Sequence, residues 1–199
     1  MISGTTVQVE FWLGQLASDP ASRDRLLAVA CGRLQQLASR MFRRGHALRR
    51  WEETGDILQE SLLRLNHALA DVQPQTAAQF FGLASLQIRR VLIDMSRKHF
   101  GPRGVGKNHG SVAGSENDGQ PDGVVPTRED DLDDWTRFHE AVQGLGEESR
   151  TVVDMLFYQG LSQEDAGVAL GVTERTVKRW WRTARQELND VLGGTWPAD

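Results

Sequence analysis

The sequence predicts an all-α protein in which an N-terminal helical bundle is joined by a flexible linker to a C-terminal helix-turn-helix unit. Apolar residues recur at helical spacing on both sides of a glycine-rich segment, residues 101–133. No alternating pattern long enough for a half-buried strand occurs. The length of 199 residues suits one or two small domains and disfavours a single large enzyme fold.

Four apolar sets predict the helices of the N-terminal bundle. The first set is short, and each of the other three is long enough to cover one face of a helix. The pair Gly101-Pro102 is a typical stop signal after the fourth. In chain order the sets are Val9, Trp12, Leu13 and Leu16; Leu27, Ala30, Leu34, Leu37 and Met41; Ile57, Leu58, Leu62, Leu65 and Leu69; and Phe80, Phe81, Ala84, Ile88, Val91, Leu92 and Met95.

Residues 101–133 are predicted to be a flexible acidic linker. They contain seven glycines and three prolines and show no apolar period. Such a segment cannot offset the entropy of ordering with buried surface. The predicted divisions are therefore a domain over residues 1–100, the linker over 101–133, a helix-turn-helix domain over 134–192 and a tail over 193–199.

The net charge of −4 is unevenly distributed along the chain. Residues 22–100 carry +6, the linker carries −4 and residues 134–192 carry −3. A mildly acidic net charge argues weakly against binding to nucleic acid, but a basic segment can still bind along a phosphate backbone. The charge distribution therefore keeps nucleic acid among the expected partners.

Several classes of protein are disfavoured by composition. The longest uncharged run, residues 72–88, contains Pro74 and four glutamines, so we expect no membrane insertion. The first ten residues lack a basic patch before an apolar core, so we expect no signal peptide. Cys31 is the only cysteine, which excludes an internal disulfide and fits a reducing cytoplasm.

The sequence contains no recognisable catalytic or metal-binding motif. No HxxxH or HExxH spacing, no phosphate-binding loop and no G-x-S-x-G occurs. We therefore expect no catalytic residue, no metal site and no cofactor. The histidines are scattered and read as surface or linker residues: His46, His67, His99, His109 and His139.

Residues 161–188 predict a helix-turn-helix. Ser162 and Asp165 form a capping-box pattern at the start of the first helix. Gly171 suits a left-handed turn at its end, and Thr173 is a favourable cap for the second helix. The alternative is a plain helical hairpin. Core positions are predicted at Ala166, Leu170, Val172 and Val177, with Gly167 letting the two helices cross closely.

The second helix of this motif, from Glu174 to about Leu188, is predicted to lie in the major groove of DNA. Arginines there either read guanine edges or grip phosphates, and positions near the helix start are better placed for bases than Arg182 and Arg185. Trp180 either completes the packing or leans on the DNA backbone, and a solvated basic face is the alternative for the whole surface. The apolar face comprises Val177, Trp181, Ala184 and Leu188. The candidate DNA contacts are Thr173, Glu174, Arg175, Lys178, Arg179, Arg182 and Arg185.

Taken together, these motifs resemble those of bacterial sigma factors, and more narrowly the extracytoplasmic-function (ECF) group of the sigma-70 family. The resemblance rests on D-x-x-Q-E before L-x-R-L, on FF-x-x-A and R-R-V-L-I-D-x-x-R, and on T-V-K-R-x-W-R-x-A-R, which occur in the family's order over nearly the whole chain. It implies a front bundle of the sigma domain 2 type and a helix-turn-helix of the sigma domain 4 type. It also implies a factor that binds core RNA polymerase, directs it to promoters and assists DNA melting.

The resemblance assigns polymerase docking to the helix that carries D-x-x-Q-E. In the family this helix binds the clamp helices of the β′ subunit, and the C-terminal domain binds the β flap. Polar and acidic groups on an exposed helix face suit basic groups on a partner. The alternative is an ordinary solvated face with an acidic helix start. The residues implied for docking are Asp56, Gln59, Glu60 and Arg64.

The segment from about Asp71 to Arg97 resembles the part of the family that opens and reads the minus-ten promoter element. Unpaired bases need stacking surfaces and a cationic path for the backbone. Phe80 and Phe81 also fit the core at this spacing. Many relatives have tryptophan where Leu83 stands and asparagine where Arg90 stands, so the sequence departs from the family here. The candidate minus-ten contacts are Phe80, Arg89, Arg90, Arg97 and Lys98.

The resemblance also implies a linker that passes near the polymerase active site and, as a family expectation, an anti-sigma partner. Free in solution, the two domains are expected to be loosely tethered or held closed by such a partner. The alternative function is a helix-turn-helix DNA-binding regulator that does not dock on core polymerase. Against it, the front half lacks the alternating strands of a phospho-receiver domain.

Overall fold

The computed structural model describes residues 3–44, 54–100 and 129–194. All regular structure within these three ranges is helical and none of it is strand, which confirms the all-α prediction. The elements in chain order are α1 (Ser3–Gln15), α2 (Pro20–Arg44), α3 (Thr54–Val72), α4 (Ala77–Phe100), α5 (Glu129–Gly144), α6 (Glu147–Val153), a π-helical turn (Asp154–Tyr158), α7 (Gln163–Leu170) and α8 (Glu174–Leu192).

Helices α1 to α4 form the front lobe, which corresponds to the predicted bundle. Its apolar stripes meet in a common core, where burial removes most of their surface from water. Leu26 is fully buried whereas the predicted Leu27 is only partly buried, a shift of one position on the face of α2. The core includes Val9, Leu13, Ala30, Leu34, Leu37, Leu65, Leu69, Phe80, Phe81, Ala84 and Ile88.

Helices α5 to α8 and the π-helical turn form the rear lobe. Helix α5 begins at Glu129, inside the segment that the sequence assigned to the linker, and residues 101–128 lie outside the described residues. Helix α8 continues to Leu192, one turn beyond the predicted end, because Leu192 extends the buried apolar face of the helix. The first residues of the predicted tail, Gly193 and Gly194, end this helix.

The two lobes pack against each other. Helix α4 contacts α5 and the π-helical turn, α1 contacts α7, and α2 contacts the π-helical turn. Apolar side chains of both lobes belong to one continuous buried cluster. The expected loose tether is therefore not the arrangement observed. Polar side chains make much of this contact, and they leave no periodic signal in the sequence.

Candidate nucleic-acid interface

The helix ends within the helix-turn-helix are capped by the residues that the sequence predicted. The Ser162 side chain accepts a hydrogen bond from the backbone N–H of Asp165 at 3.0 Å, which starts α7. Gly171 ends α7 with φ of +67°, in the left-handed region that suits glycine. The Thr173 side chain accepts from the N–H of Thr176 at 3.3 Å, which starts α8. These local bonds fix the direction in which α8 leaves the turn.

The apolar side of α8 is buried against the rest of the rear lobe. Val177, Ala184 and Leu188 are all fully buried. Trp181 is half-buried against the same cluster, as predicted. Trp180 is also half-buried and packs on this cluster, which supports the packing role among the two considered for it. The buried side sets which residues of α8 face outward.

The opposite side of α8 carries the candidate DNA contacts, and all of them are exposed. Lys178 forms an ion pair with Glu174, with Nζ to Oε1 at 2.6 Å. An open groove runs beside the second half of the helix, and its lining includes Lys178, Trp181, Arg182 and Arg185. The exposed set is Thr173, Glu174, Arg175, Lys178, Arg179, Arg182 and Arg185. A positive strip of this kind on the second helix of a helix-turn-helix can meet phosphates and base edges.

The candidate polymerase contacts lie on α3. Gln59 and Glu60 are exposed there, whereas the side chain of Asp56 lies outside the described residues. Arg64 is half-buried and donates to Glu60 at 2.7 Å and to Asp94 of α4 at 2.8 Å. Hydrogen bonding to Asp94, and then to Glu60, raises the pKa of Arg64 above its ordinary value. Arg64 thus joins α3 to α4 and also orients Glu60 at the surface.

The candidate minus-ten contacts on α4 are divided between the interior and the surface. Phe80 is fully buried, with its ring centroid 5.5 Å from that of Phe81, and Arg89 is 2% exposed. Arg90 and Arg97 are exposed, and the side chain of Lys98 lies outside the described residues. With the lobes packed together, only part of the predicted set can therefore reach DNA.

Arg89 is buried because it pairs with the rear lobe. Its Nη1 donates to Oδ1 of Asp154 at 2.6 Å, and its guanidinium lies over the Tyr158 ring, 5.1 Å from the centroid. Burial raises the pKa of the Asp154 carboxyl, and the charge of Arg89 opposes that shift. Near the surface, Nη2 of Arg97 donates to Oε1 of Glu140 on α5 at 2.8 Å. Two of the arginines assigned to DNA thus face acidic groups of the rear lobe.

Further hydrogen bonds connect the same surfaces. The Ser85 Oγ donates to the backbone oxygen of Asp154 at 3.3 Å and accepts from Nε2 of Gln159 at 2.8 Å. Arg33 on α2 donates to the backbone oxygen of Gln159 at 3.0 Å. We refer to Arg33, Ser85, Arg89, Asp154, Tyr158 and Gln159 as the interlobe polar cluster.

His139 stands next to this cluster inside the rear lobe. Its Nδ1 lies 2.7 Å from the hydroxyl of Tyr158. Burial, and secondarily the charge of Arg89, lowers the pKa of His139 to about 3. The imidazole is therefore neutral near pH 7, and it adds no second positive charge beside Arg89.

Sequence reasoning assigned no role to most of these residues. Asp154 is a single charge within the apolar run from Val152 to Tyr158, and Arg33 stands beside Leu34 in the apolar stripe of α2. A lone charge in an otherwise buried run is the signal that could have marked them, because buried charges are paired.

The described part of the chain contains neither a cluster suited to a metal ion nor a membrane-spanning helix. No group of three or more histidine, cysteine, aspartate or glutamate side chains there is arranged to hold a metal ion. None of the helices described is both long and apolar enough to cross a membrane.

Comparison with known proteins identifies the family. A family model described as ECF sigma factor matches residues 7–193 of the chain. A search among curated proteins gave no match. A solved structure described as CnrH in complex with the cytosolic domain of CnrY is similar to the chain at 17% sequence identity, covering 95% of this chain and 99% of that one with a TM-score of 0.38. Because the family model spans both lobes, the chain belongs to the ECF sigma factors, which are transcription initiation factors that bind core RNA polymerase and promoter DNA.

Proposed function

We propose that α8 is the helix by which this sigma factor recognises the minus-thirty-five promoter element. The observation that carries the proposal is the exposed basic strip of α8 in a capped helix-turn-helix. The rear lobe as a whole is acidic, and most of its basic residues lie on the helix that would enter the groove. Phosphates attract such a strip without sequence preference, and base edges then provide the specificity.

Position along α8 separates the roles of its side chains. Arg175 and Arg179 lie in the first turns, where the N-terminal part of a recognition helix meets base edges. Arg182 and Arg185 lie further along, beside the groove, and are proposed to hold phosphates. The Glu174 carboxylate positions the Lys178 ammonium through their ion pair. Specificity is therefore assigned to the start of the helix and general affinity to its second half.

The front lobe is proposed to supply the other two contacts. Gln59 and Glu60 on the exposed side of α3 are the proposed docking site for the β′ clamp helices, oriented by Arg64. Helix α4 is proposed to bind the minus-ten element through Arg90 and Arg97 at its surface and through Arg89, which the rear lobe covers in this arrangement. We propose that the front and rear lobes act as the two predicted domains and that the acidic segment between them passes through the polymerase.

Promoter melting needs no bond chemistry from the sigma factor itself. Binding energy spent on the unpaired bases and their backbone suffices to hold the separated strand. We therefore propose that the protein acts as a non-enzymatic factor in the cytoplasm, where polymerase and DNA are present.

The role of α8 predicts different effects for its two halves. Promoters can be found by sequencing transcripts after overexpression, and binding of the reconstituted holoenzyme is then measured on DNA with the natural or a scrambled upstream element. Arg175→Ala should cost about 1–3 kcal/mol on the natural element only. Arg182→Ala should weaken binding to both DNAs and reduce the slope of log affinity against log salt by about 1.

Two controls accompany this measurement. Arg25→Ala removes an exposed arginine of α2 that pairs with Asp19, the residue before this helix, and it should leave the preference between the two DNAs unchanged. Each variant should also retain its affinity for core polymerase. If Arg175→Ala keeps the full preference for the natural element, α8 is not the reading helix. If DNA is bound but polymerase is not, the chain acts as a separate DNA-binding regulator.

A further inference from the structure

We propose that the rear lobe autoinhibits the free protein by placing Asp154 and Glu140 on the arginines of α4 that bind minus-ten DNA. This inference rests on the proposed function of α4. In the packed arrangement Asp154 engages Arg89 and Glu140 engages Arg97. The acidic groups thus occupy the places of DNA phosphates, so DNA binding requires the lobes to separate.

We call the polar contacts between the lobes the latch, and the buried Arg89–Asp154 ion pair is its main part. Arg89 and Asp154 are 65 positions apart in sequence, and their side chains are only 2% and 8% exposed. An arginine–carboxylate bond of 2.6 Å in such surroundings is a strong charge-assisted hydrogen bond. While it persists, no phosphate can reach the guanidinium. The same group therefore cannot serve the latch and the DNA at once.

The exposed Arg97–Glu140 ion pair and the hydrogen bonds of the interlobe polar cluster also stabilise the packed arrangement of the lobes. Arg97 and Glu140 are 66% and 43% exposed, so salt screens their attraction. Arg33 and Ser85 hold the backbone and side chain of the segment that carries Asp154. This support keeps the carboxylate aimed at α4 with little freedom to move away.

Burial of the polar groups in the latch costs free energy, and this cost favours separation of the lobes. Among the described residues, Nε of Arg89 and Oε1 of Gln159 have no hydrogen-bond partner. Separation of the lobes would return both to water together with the two charges of the ion pair. The desolvation cost of a buried ion pair is comparable to its attraction, so the Arg89–Asp154 pair itself adds little net free energy to the packed state. Binding to polymerase or promoter can then shift the balance.

The π-helical turn contributes the geometry of the latch. Its i+5 hydrogen bond joins the N–H of Gln159 to the backbone oxygen of Asp154 at 3.0 Å. Turns of this type occur mostly as short interruptions and often at functional sites. Here the turn carries Asp154 and Tyr158 and is followed directly by Gln159, and all three contact the front lobe.

Substitution of the acidic partners tests the proposal. Asp154→Asn keeps the shape of the side chain but removes the charge, so the packed state alone is left with an unpaired buried arginine. We expect the free full-length protein to become more extended in small-angle X-ray scattering. We also expect its affinity for a single-stranded oligonucleotide with the minus-ten sequence to rise by about tenfold or more, because the competent fraction increases.

Glu140→Gln provides a second test at an exposed site where misfolding is not a concern, and it should raise the same affinity by a smaller factor. Glu148→Gln removes an exposed carboxylate of α6 and should change neither size nor affinity. If Asp154→Asn and Glu140→Gln both bind the oligonucleotide as the wild type does, the proposal is overturned, whether or not the lobes separate. If Asp154→Asn fails to fold, the result for Glu140→Gln decides. A wild-type holoenzyme that cannot initiate transcription would instead contradict the proposed function.

Discussion

At the scale of single residues, two glycines in the helix-turn-helix have different physical roles. Gly171 has φ of +67°, a conformation that side chains with a Cβ disfavour. Gly167 has no such φ, but a Cβ there would lie 2.9 Å from the backbone oxygen of Val172. The first glycine permits the turn, and the second permits the close approach of α7 to the residues before α8.

Gly167→Ala is expected to destabilise the protein by about 1–3 kcal/mol, because the obstructing atom belongs to the backbone and cannot rotate away. The free energy of unfolding in urea measures this. Gly32→Ala on α2 is the matched control, since a Cβ there meets nothing within 4 Å and alanine favours the helix. Equal stability of the two variants would show that the crossing of α7 and α8 does not need a glycine.

These residue-scale features could be predicted from the sequence because they are local. Ser162, Gly171 and Thr173 act on atoms within a few positions of themselves. Phe80 had two interpretations, core or stacking surface, and local pattern alone could not choose between them. Its full burial depends on neighbours from several helices.

At the scale of elements, the strongest agreement between sequence and structure lies in the helices with a sustained apolar period. Helices α2, α3, α4 and α8 all follow stripes visible in the sequence. The division of residues 129–158 into α5, α6 and the π-helical turn was not predicted, because α6 has only seven residues and the next turn follows it directly. Segments this short do not establish a period.

The proposed docking role of α3 predicts the effect of a charge reversal. Glu60→Lys should weaken the complex with core polymerase by roughly tenfold, or about 1.4 kcal/mol, since it places a positive charge against basic groups of the partner. Arg64 retains Asp94 as its second partner, so the helix itself should stay in place. The dissociation constant of the holoenzyme measures the change.

Glu10→Lys makes the same charge change at an exposed position of α1 and serves as the control for this experiment. It should leave polymerase affinity within twofold, or about 0.4 kcal/mol, of the wild type. Equal losses for Glu10→Lys and Glu60→Lys would point to a general electrostatic effect and remove the docking surface from α3.

At the scale of the whole molecule, the distribution of charge explains more than the net value of −4. The basic front lobe presents arginines to the acidic rear lobe, and the basic strip of α8 faces outward. The sequence showed this asymmetry but not the contact it produces. Arg89 and Asp154 are 65 positions apart, and no local pattern links them. Long-range pairing of single polar residues is what the sequence could not reveal.

The central claim is that the chain directs core RNA polymerase to promoters through α8. Run-off transcription with purified core polymerase, the purified chain and a mapped promoter tests it most directly. We expect a discrete transcript that depends on the chain and is lost when Arg175→Ala and Lys178→Ala are combined, although this variant still binds polymerase. An undiminished transcript from the double variant would contradict the role of α8, and the absence of any chain-dependent transcript would contradict the account as a whole.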